Sequence, residues 1–131
     1  MTVVIDASAL VAALVDSGPD GQWAESLLTS DLAAPHLLPV EVTNVLRRAV
    51  NSGEITDDIA SIAHADLLDL RMGLVSYETV ADRARELRHN VTSHDAWYVA
   101  VAELLDAPLA TLDHRLANAT GPTCTFRTPT R

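Results

Sequence analysis

Four acids in this chain stand at positions where a carboxylate can do chemistry. Asp6 follows the β-branched run Val3-Val4-Ile5, and residues 7–15 then continue without a helix breaker. Such an apolar run suits a strand buried on both faces of a parallel sheet, so Asp6 falls in a strand-to-helix turn. Residues 109–112 (Leu-Ala-Thr-Leu), then Asp113, then the helical run 114–119 repeat that arrangement. Ligands of open α/β sheets bind at the carboxyl ends of the strands, and here two strands each deliver an aspartate to that edge. Glu41 lies beside the apolar stripe of a helix rather than opposite it, one turn from Asn44 and Val45, where a charged group incurs a desolvation cost. Asp95 follows Thr92-Ser93 in the first turn of another helix, where the helix dipole favours a carboxylate.

Taken singly, each acid has an ordinary explanation. Asp6 can be a turn or cap residue, Asp113 the cap of the helix that follows it, and Asp95 a first-turn helix acid. Together they say more, because right-handed crossovers bring these strand ends and helix starts to one rim of the sheet. Four carboxylates at one rim repel each other and oppose folding unless a cation joins them. A hard divalent ion, Mg2+ or Mn2+, suits an all-oxygen site. Its natural chemistry there is metal-assisted hydrolysis of a phosphodiester.

The elements that must position these residues alternate along the chain. The pattern predicts strands at residues 31–34, 73–76 and 124–126 besides the two above. Helices are expected at residues 22–30, 36–51, 56–71, 78–89 and 94–106. Residues 16–21 (D-S-G-P-D-G) read as a turn. Leu38, Val42, Val45, Leu46 and Ala49 recur at core spacing, as do Ile59, Ile62, Ala63, Leu67 and Leu70. Strands alternating with helices over 131 residues, with no linker or repeat, predict one α/β domain: a three-layer α/β/α sandwich around a mainly parallel sheet.

Composition narrows the function. The formal net charge is −9 and every fixed positive charge is an arginine, so no broad basic face is available to a nucleic acid. A polyanionic substrate would need a local reversal of the field, from a metal ion or a few arginines. No apolar run is long enough to span a membrane and no signal peptide is evident, so a cytoplasmic location is expected. Cys124 is the only cysteine, which excludes an internal disulfide and a cysteine-rich zinc site.

V-I-D-A-S-A-L near the start, P-V-E-V-T-N-V-L-R-R in the middle, and S-H-D-A-W-Y-V-A-V-A-E and L-A-T-L-D-H-R-L near the end resemble the four signature blocks of the PIN domain. Length and block spacing are most similar to the VapC-type toxins of toxin–antitoxin pairs. Carried over residue by residue, the resemblance puts the acidic site on Asp6, Glu41, Asp95 and Asp113, with Asp6, Asp95 and Asp113 as metal ligands. It implies a Mg2+- or Mn2+-dependent ribonuclease acting on RNA, a homodimer, and a small antitoxin protein as inhibitor.

Ser8 and Thr111 lie two residues from Asp6 and Asp113, within reach to orient carboxylates or water. Asn44 can hold Glu41, and Arg115 can grip a substrate phosphate. Arg47 and Arg48 are candidates to receive an acidic group of the partner or an RNA phosphate. Glu103 reads as a surface acid, His94 and His114 as exposed neighbours, and Trp97 as core, while Tyr98 is left between core and base stacking. Two rival classes fit less well. A haloacid-dehalogenase-type phosphatase wants a second acid where Ser8 stands, and a response-regulator receiver wants a lysine that this chain lacks. A catalytically inactive PIN-like binding module is the remaining alternative.

Overall fold

In the computed structural model, which describes residues 1–130, the chain opens with β1 (Thr2–Ile5), α1 (Ala7–Val15), α2 (Pro19–Ser26) and β2 (Asp31–Pro35). It continues through α3 (Leu38–Asn51), α4 (Asp57–Asp69), β3 (Met72–Val75), α5 (Tyr77–Glu86) and α6 (Ser93–Leu105). It ends with β4 (Leu109–Ala110), α7 (His114–Ala117) and β5 (Phe126–Arg127). The five strands form one sheet in the order β3-β2-β1-β4-β5, every neighbouring pair parallel.

That order places the reversal of direction between β1 and β4. The chain steps from β1 to β2 to β3 on one side, then returns to lay β4 against the other side of β1, with Ile5 opposite Ala110. Such a switch point opens a crevice outside the carboxyl ends of the two strands. Right-handed crossovers send α1 to α4 to one face and α5 and α6 to the other; α1 packs on α2, α3 and α4, while α6 packs on α5 and across β1, β2 and β4. The sandwich predicted from the alternation is therefore the observed one.

The core follows from the sequence at its centre. Val3, Val4 and Ile5 are fully buried, as a central parallel strand covered on both faces requires. Leu38, Val42 and Leu46 carry α3 into the same core, while Val45 and Ala49 are only half-buried. Thr56, Ser76 and Thr92 each cap a helix by accepting a backbone N–H three residues on.

Several boundaries differ from the sequence expectation for identifiable reasons. α2 begins at Pro19 rather than residue 22, because proline is preorganised for the first helical position, and its last residues tighten into a 3-10 turn at Leu27–Thr29. Gly21, read as part of a turn, is buried inside α2, where a Cβ would lie 1.7 Å from the Asp16 carbonyl oxygen; only glycine lets the two helices approach so closely. α3 begins two residues late, at Leu38, and the final strand is Phe126–Arg127 rather than residues 124–126. On α4 only Ala63 and Leu67 are buried; Ile59 and Ile62, expected in the core, are 44% and 63% exposed. No helix among the described residues is long and apolar enough to cross a membrane.

Candidate active site

Asp6 emerges from β1 into the switch-point crevice and caps α1. Its Oδ1 accepts from the Ser8 hydroxyl at 2.7 Å and from the Ala9 N–H at 3.0 Å, and its carboxyl also bonds the Thr111 side chain. Thr111 is fully buried at the end of β4, and its Oγ1 accepts from the Asp113 N–H at 2.9 Å. Ser8 closes a second link, its Oγ accepting from the Leu112 N–H at 3.1 Å. Two hydroxyls thus tie Asp6 to the turn that delivers Asp113, as expected for residues that orient a carboxylate.

Asp113 caps α7 through Oδ1, which accepts from the Arg115 and Leu116 N–H groups at 3.0 and 3.3 Å. The ordinary explanations for Asp6 and Asp113 are therefore both true in part. They do not account for the electrostatics. Asp6 is only 8% exposed, and burial outweighs its three hydrogen bonds, so its carboxyl is pushed above the usual aspartate range, with Asp95 adding to the effect. Asp95, half-buried in the first turn of α6, is raised by burial against its bond to Thr92, and Asp113 raises it further. An acid whose only task is to cap a helix has no need of neighbouring acids that oppose its ionisation.

Glu41 reaches the group from the first turns of α3, and its Oε1 accepts from the Tyr98 hydroxyl at 3.0 Å. Burial pushes the Tyr98 phenol far above its ordinary range, followed by the charges of Glu41, Asp6 and Asp95. The four predicted acids are thus linked electrostatically in series, with Tyr98 beside three of them. Asn44 does not hold Glu41: its Oδ1 accepts from Nε and Nη2 of Arg47, each at 3.2 Å. Tyr98 makes that contact instead. It is 3% exposed, whereas Trp97 is only partly buried and packs edge-on against Tyr77 at 5.5 Å. The signal was present in the sequence, since Tyr98 follows Asp95 by three residues and so shares its face of the helix.

A polar cleft of about 690 Å³ leads from Asp95 and Asp113 past Arg115, Asn118 and Asn90. His94 and His114 are exposed, as expected. Glu103 is not a free surface acid: its carboxylate takes two bonds from Arg83, at 2.6 and 3.2 Å, and one from the Thr123 N–H at 2.8 Å. Burial pushes the Cys124 thiol up to about 11, which makes it a poor nucleophile at neutral pH.

None of the four rim acids forms an ion pair among the described residues. No three described His, Cys, Asp or Glu side chains converge closely enough to enclose an ion by themselves. The donor set still fits a hard divalent cation, because Mg2+ takes oxygen ligands and commonly uses one or two carboxylates, with water completing its shell.

The PIN domain family model matches residues 3–122. The chain is 42% identical over 130 residues to the Ribonuclease VapC1 of Mycobacterium tuberculosis, covering 95% of each. It is 38% identical over 127 residues to the Ribonuclease VapC3 of Pyrobaculum aerophilum, covering 89% of this chain and 93% of that one. Among solved structures it resembles PAE2754 from Pyrobaculum aerophilum, with a TM-score of 0.69 and 24% identity over 96% of this chain and 83% of that one. It also resembles the sarcin–ricin-loop-cleaving toxin VapC20 of Mycobacterium tuberculosis, with a TM-score of 0.60 and 18% identity over 82% and 86% of the two chains.

Proposed function

From a chain that belongs to the PIN domain family, in its VapC-type branch, we propose a divalent-metal-dependent endoribonuclease acting as the toxin of a toxin–antitoxin pair. The observation that carries the reading is the rim itself. Asp6, Asp95 and Asp113 stand at the switch point of an acidic protein; the Asp95 charge adds to what burial does to Asp6, the Asp113 charge to what burial does to Asp95, and none of the three forms an ion pair among the described residues. A divalent cation held by them supplies positive charge to the phosphate and makes water a better nucleophile.

Each protein group then has a defined task. Asp6, Asp95 and Asp113 supply the anionic oxygens that hold the cation. Ser8 and Thr111 fix Asp6 and the Asp113 turn in one arrangement, so that little reorganisation accompanies binding. Glu41 faces the same space from α3, as the carboxylate that orients water and accepts its proton. Arg115, beside Asp113 in the polar cleft, meets the phosphate of an adjoining nucleotide.

The antitoxin is assigned to the surface of α3 and α4. Leu46, Val50, Ala60 and His64 line a groove between these helices, and Arg47 stands at its edge. Val40 and Leu68, 65% and 68% exposed, line the adjoining depression with Arg47 and His64. Apolar side chains so open to water favour a partner that covers them, and Arg47 offers an acidic group of that partner a charged bond.

The test is RNA cleavage by purified, metal-free protein. Activity is expected on adding Mg2+ or Mn2+ and is expected to disappear with excess EDTA. Cleavage that proceeds fully in EDTA would overturn the metal mechanism, and no cleavage under any condition would overturn the ribonuclease assignment.

A further inference from the structure

We infer that Tyr98 is a positioning residue for Glu41: its hydroxyl, carried on α6, holds the carboxylate that α3 brings to the rim. The inference rests on the ribonuclease reading and adds to it a residue outside the acid set.

The geometry is specific. The Tyr98 hydroxyl lies 3.0 Å from Glu41 Oε1 and joins two helices 57 residues apart in sequence. α3 and α6 lie on opposite faces of the sheet, so the bond spans the rim where Asp6 and Asp113 emerge. The ring is 3% exposed and belongs to the hydrophobic core, so the oxygen at its tip is as fixed as the core. The Glu41 carboxylate accepts no other hydrogen bond among the described residues. α3 also lacks a side-chain cap at its start, so among the described residues this is the side-chain hydrogen bond that reaches its first turn from outside the helix. A glutamate has several rotamers, and freezing them costs conformational entropy. The bond from Tyr98 selects one of them before substrate arrives. It also engages Oε1 and leaves Oε2 without a hydrogen bond among the described residues.

A phenol in this place does not exchange its proton with substrate. It donates to a carboxylate and keeps a buried polar pair satisfied. Its effect therefore reaches the reaction through Glu41 alone. If Glu41 orients and deprotonates water, loosening it slows the chemical step and leaves substrate binding and metal binding largely as they were.

Tyr98→Phe removes one oxygen and preserves the ring. The expected result is a kcat for RNA cleavage roughly 10- to 100-fold lower, the range typical of groups that orient an active-site ligand, with KM within about twofold. Mn2+ affinity of the metal-free protein, measured by titration calorimetry, is expected within about twofold of wild type. In a Glu41→Ala background the same change is expected to alter kcat less than about twofold, because the carboxylate it holds is gone. An unchanged kcat would overturn the inference. So would losses that multiply independently in the double variant, or a parallel loss of Mn2+ affinity, since either would mark a general loosening of the fold. A Tyr98→Phe protein that is unfolded at assay temperature would overturn it as well, because the hydroxyl would then serve the fold. A wild type that binds no Mn2+ and cuts no RNA would instead remove the ribonuclease reading, and the inference with it.

Discussion

Two acid sites at opposite ends of α6 treat their charge in opposite ways. Glu103, in the last turns of the helix, is neutralised by the protein: Arg83 grips both carboxylate oxygens, and the Thr123 N–H adds a third bond. Burial alone would raise its proton affinity, but these partners outweigh burial and hold the carboxyl below the usual glutamate range. Asp95, in the first turn, forms no ion pair among the described residues, and burial, with the Asp113 charge adding to it, pushes it the other way. Arg83 also donates to the Gly121 carbonyl at 3.0 Å, so the neutralised site is a clasp that fastens the approach to β5. Asp6 and Asp113 at the rim also cap α1 and α7, but no cationic side chain among the described residues neutralises them there. An acid that the protein pairs internally serves the fold; acids left unpaired at the switch point are the ones the proposed cation would use.

The largest expected effect comes from breaking the rim. Asp6→Asn should lower RNA cleavage more than about 100-fold, since even residues that only orient metal ligands commonly cost 10- to 100-fold. It should leave the metal-free fold as stable or more so, because asparagine caps a helix as well as aspartate and removes one of several like charges. Cleavage assays and thermal melts in EDTA check both halves.

Breaking the clasp should do the reverse. Arg83→Ala leaves Glu103 partly buried without its cation, and is expected to cost about 2 kcal/mol. The melting temperature should fall by roughly 5–10 °C, while cleavage well below that temperature stays within about threefold of wild type. Differential scanning calorimetry and the same cleavage assay measure the two.

The smallest effect, in pH, distinguishes the sites by sign. The folded protein binds protons at Asp6 and Asp95 more tightly than the unfolded chain does, so their contribution to stability is full below the ordinary aspartate pKa of about 3.9 and is lost as pH rises through their raised values. Glu103 is depressed, so its contribution is present above the ordinary glutamate pKa of about 4.3 and is lost as pH falls through its lower value. Denaturant melts in EDTA should therefore show Asp6→Asn gaining less than wild type as pH falls from 7 towards 4.5. Glu103→Gln should lose less than wild type below about pH 4.

Much of this contrast was legible in the sequence. The strand-then-aspartate pattern at Asp6 and Asp113 is local, and so is the Thr92 cap before Asp95; strand burial and helix-start chemistry make such features visible in a single stretch. Ser8 lies two residues from Asp6 and Thr111 two from Asp113, so their hydrogen bonds to the Asp6 carboxylate and the Asp113 N–H follow from local spacing. What eluded the sequence depends on partners far apart along the chain. Glu103 reads as a surface acid until α5 brings Arg83 beside it, 20 residues away. Asn44 reads as a partner for Glu41, yet Arg47, one turn on, competes for its amide oxygen. Tyr98, left open by the sequence, is the more deeply buried of the pair and Trp97 the partly buried one, because α6 lies across three strands and turns a broad face inward.

If a divalent cation completes the rim acids, as proposed, Mn2+ should change the melting of wild type and of Asp6→Asn differently. With Mn2+ about a hundredfold above its dissociation constant for wild type, the wild-type melting temperature should rise by roughly 5–10 °C, as a ligand that binds only the native state requires. The Asp6→Asn protein should rise by less than about 2 °C at the same concentration, having lost an anionic ligand. Equal shifts in the two proteins, or no shift in wild type, would contradict the claim.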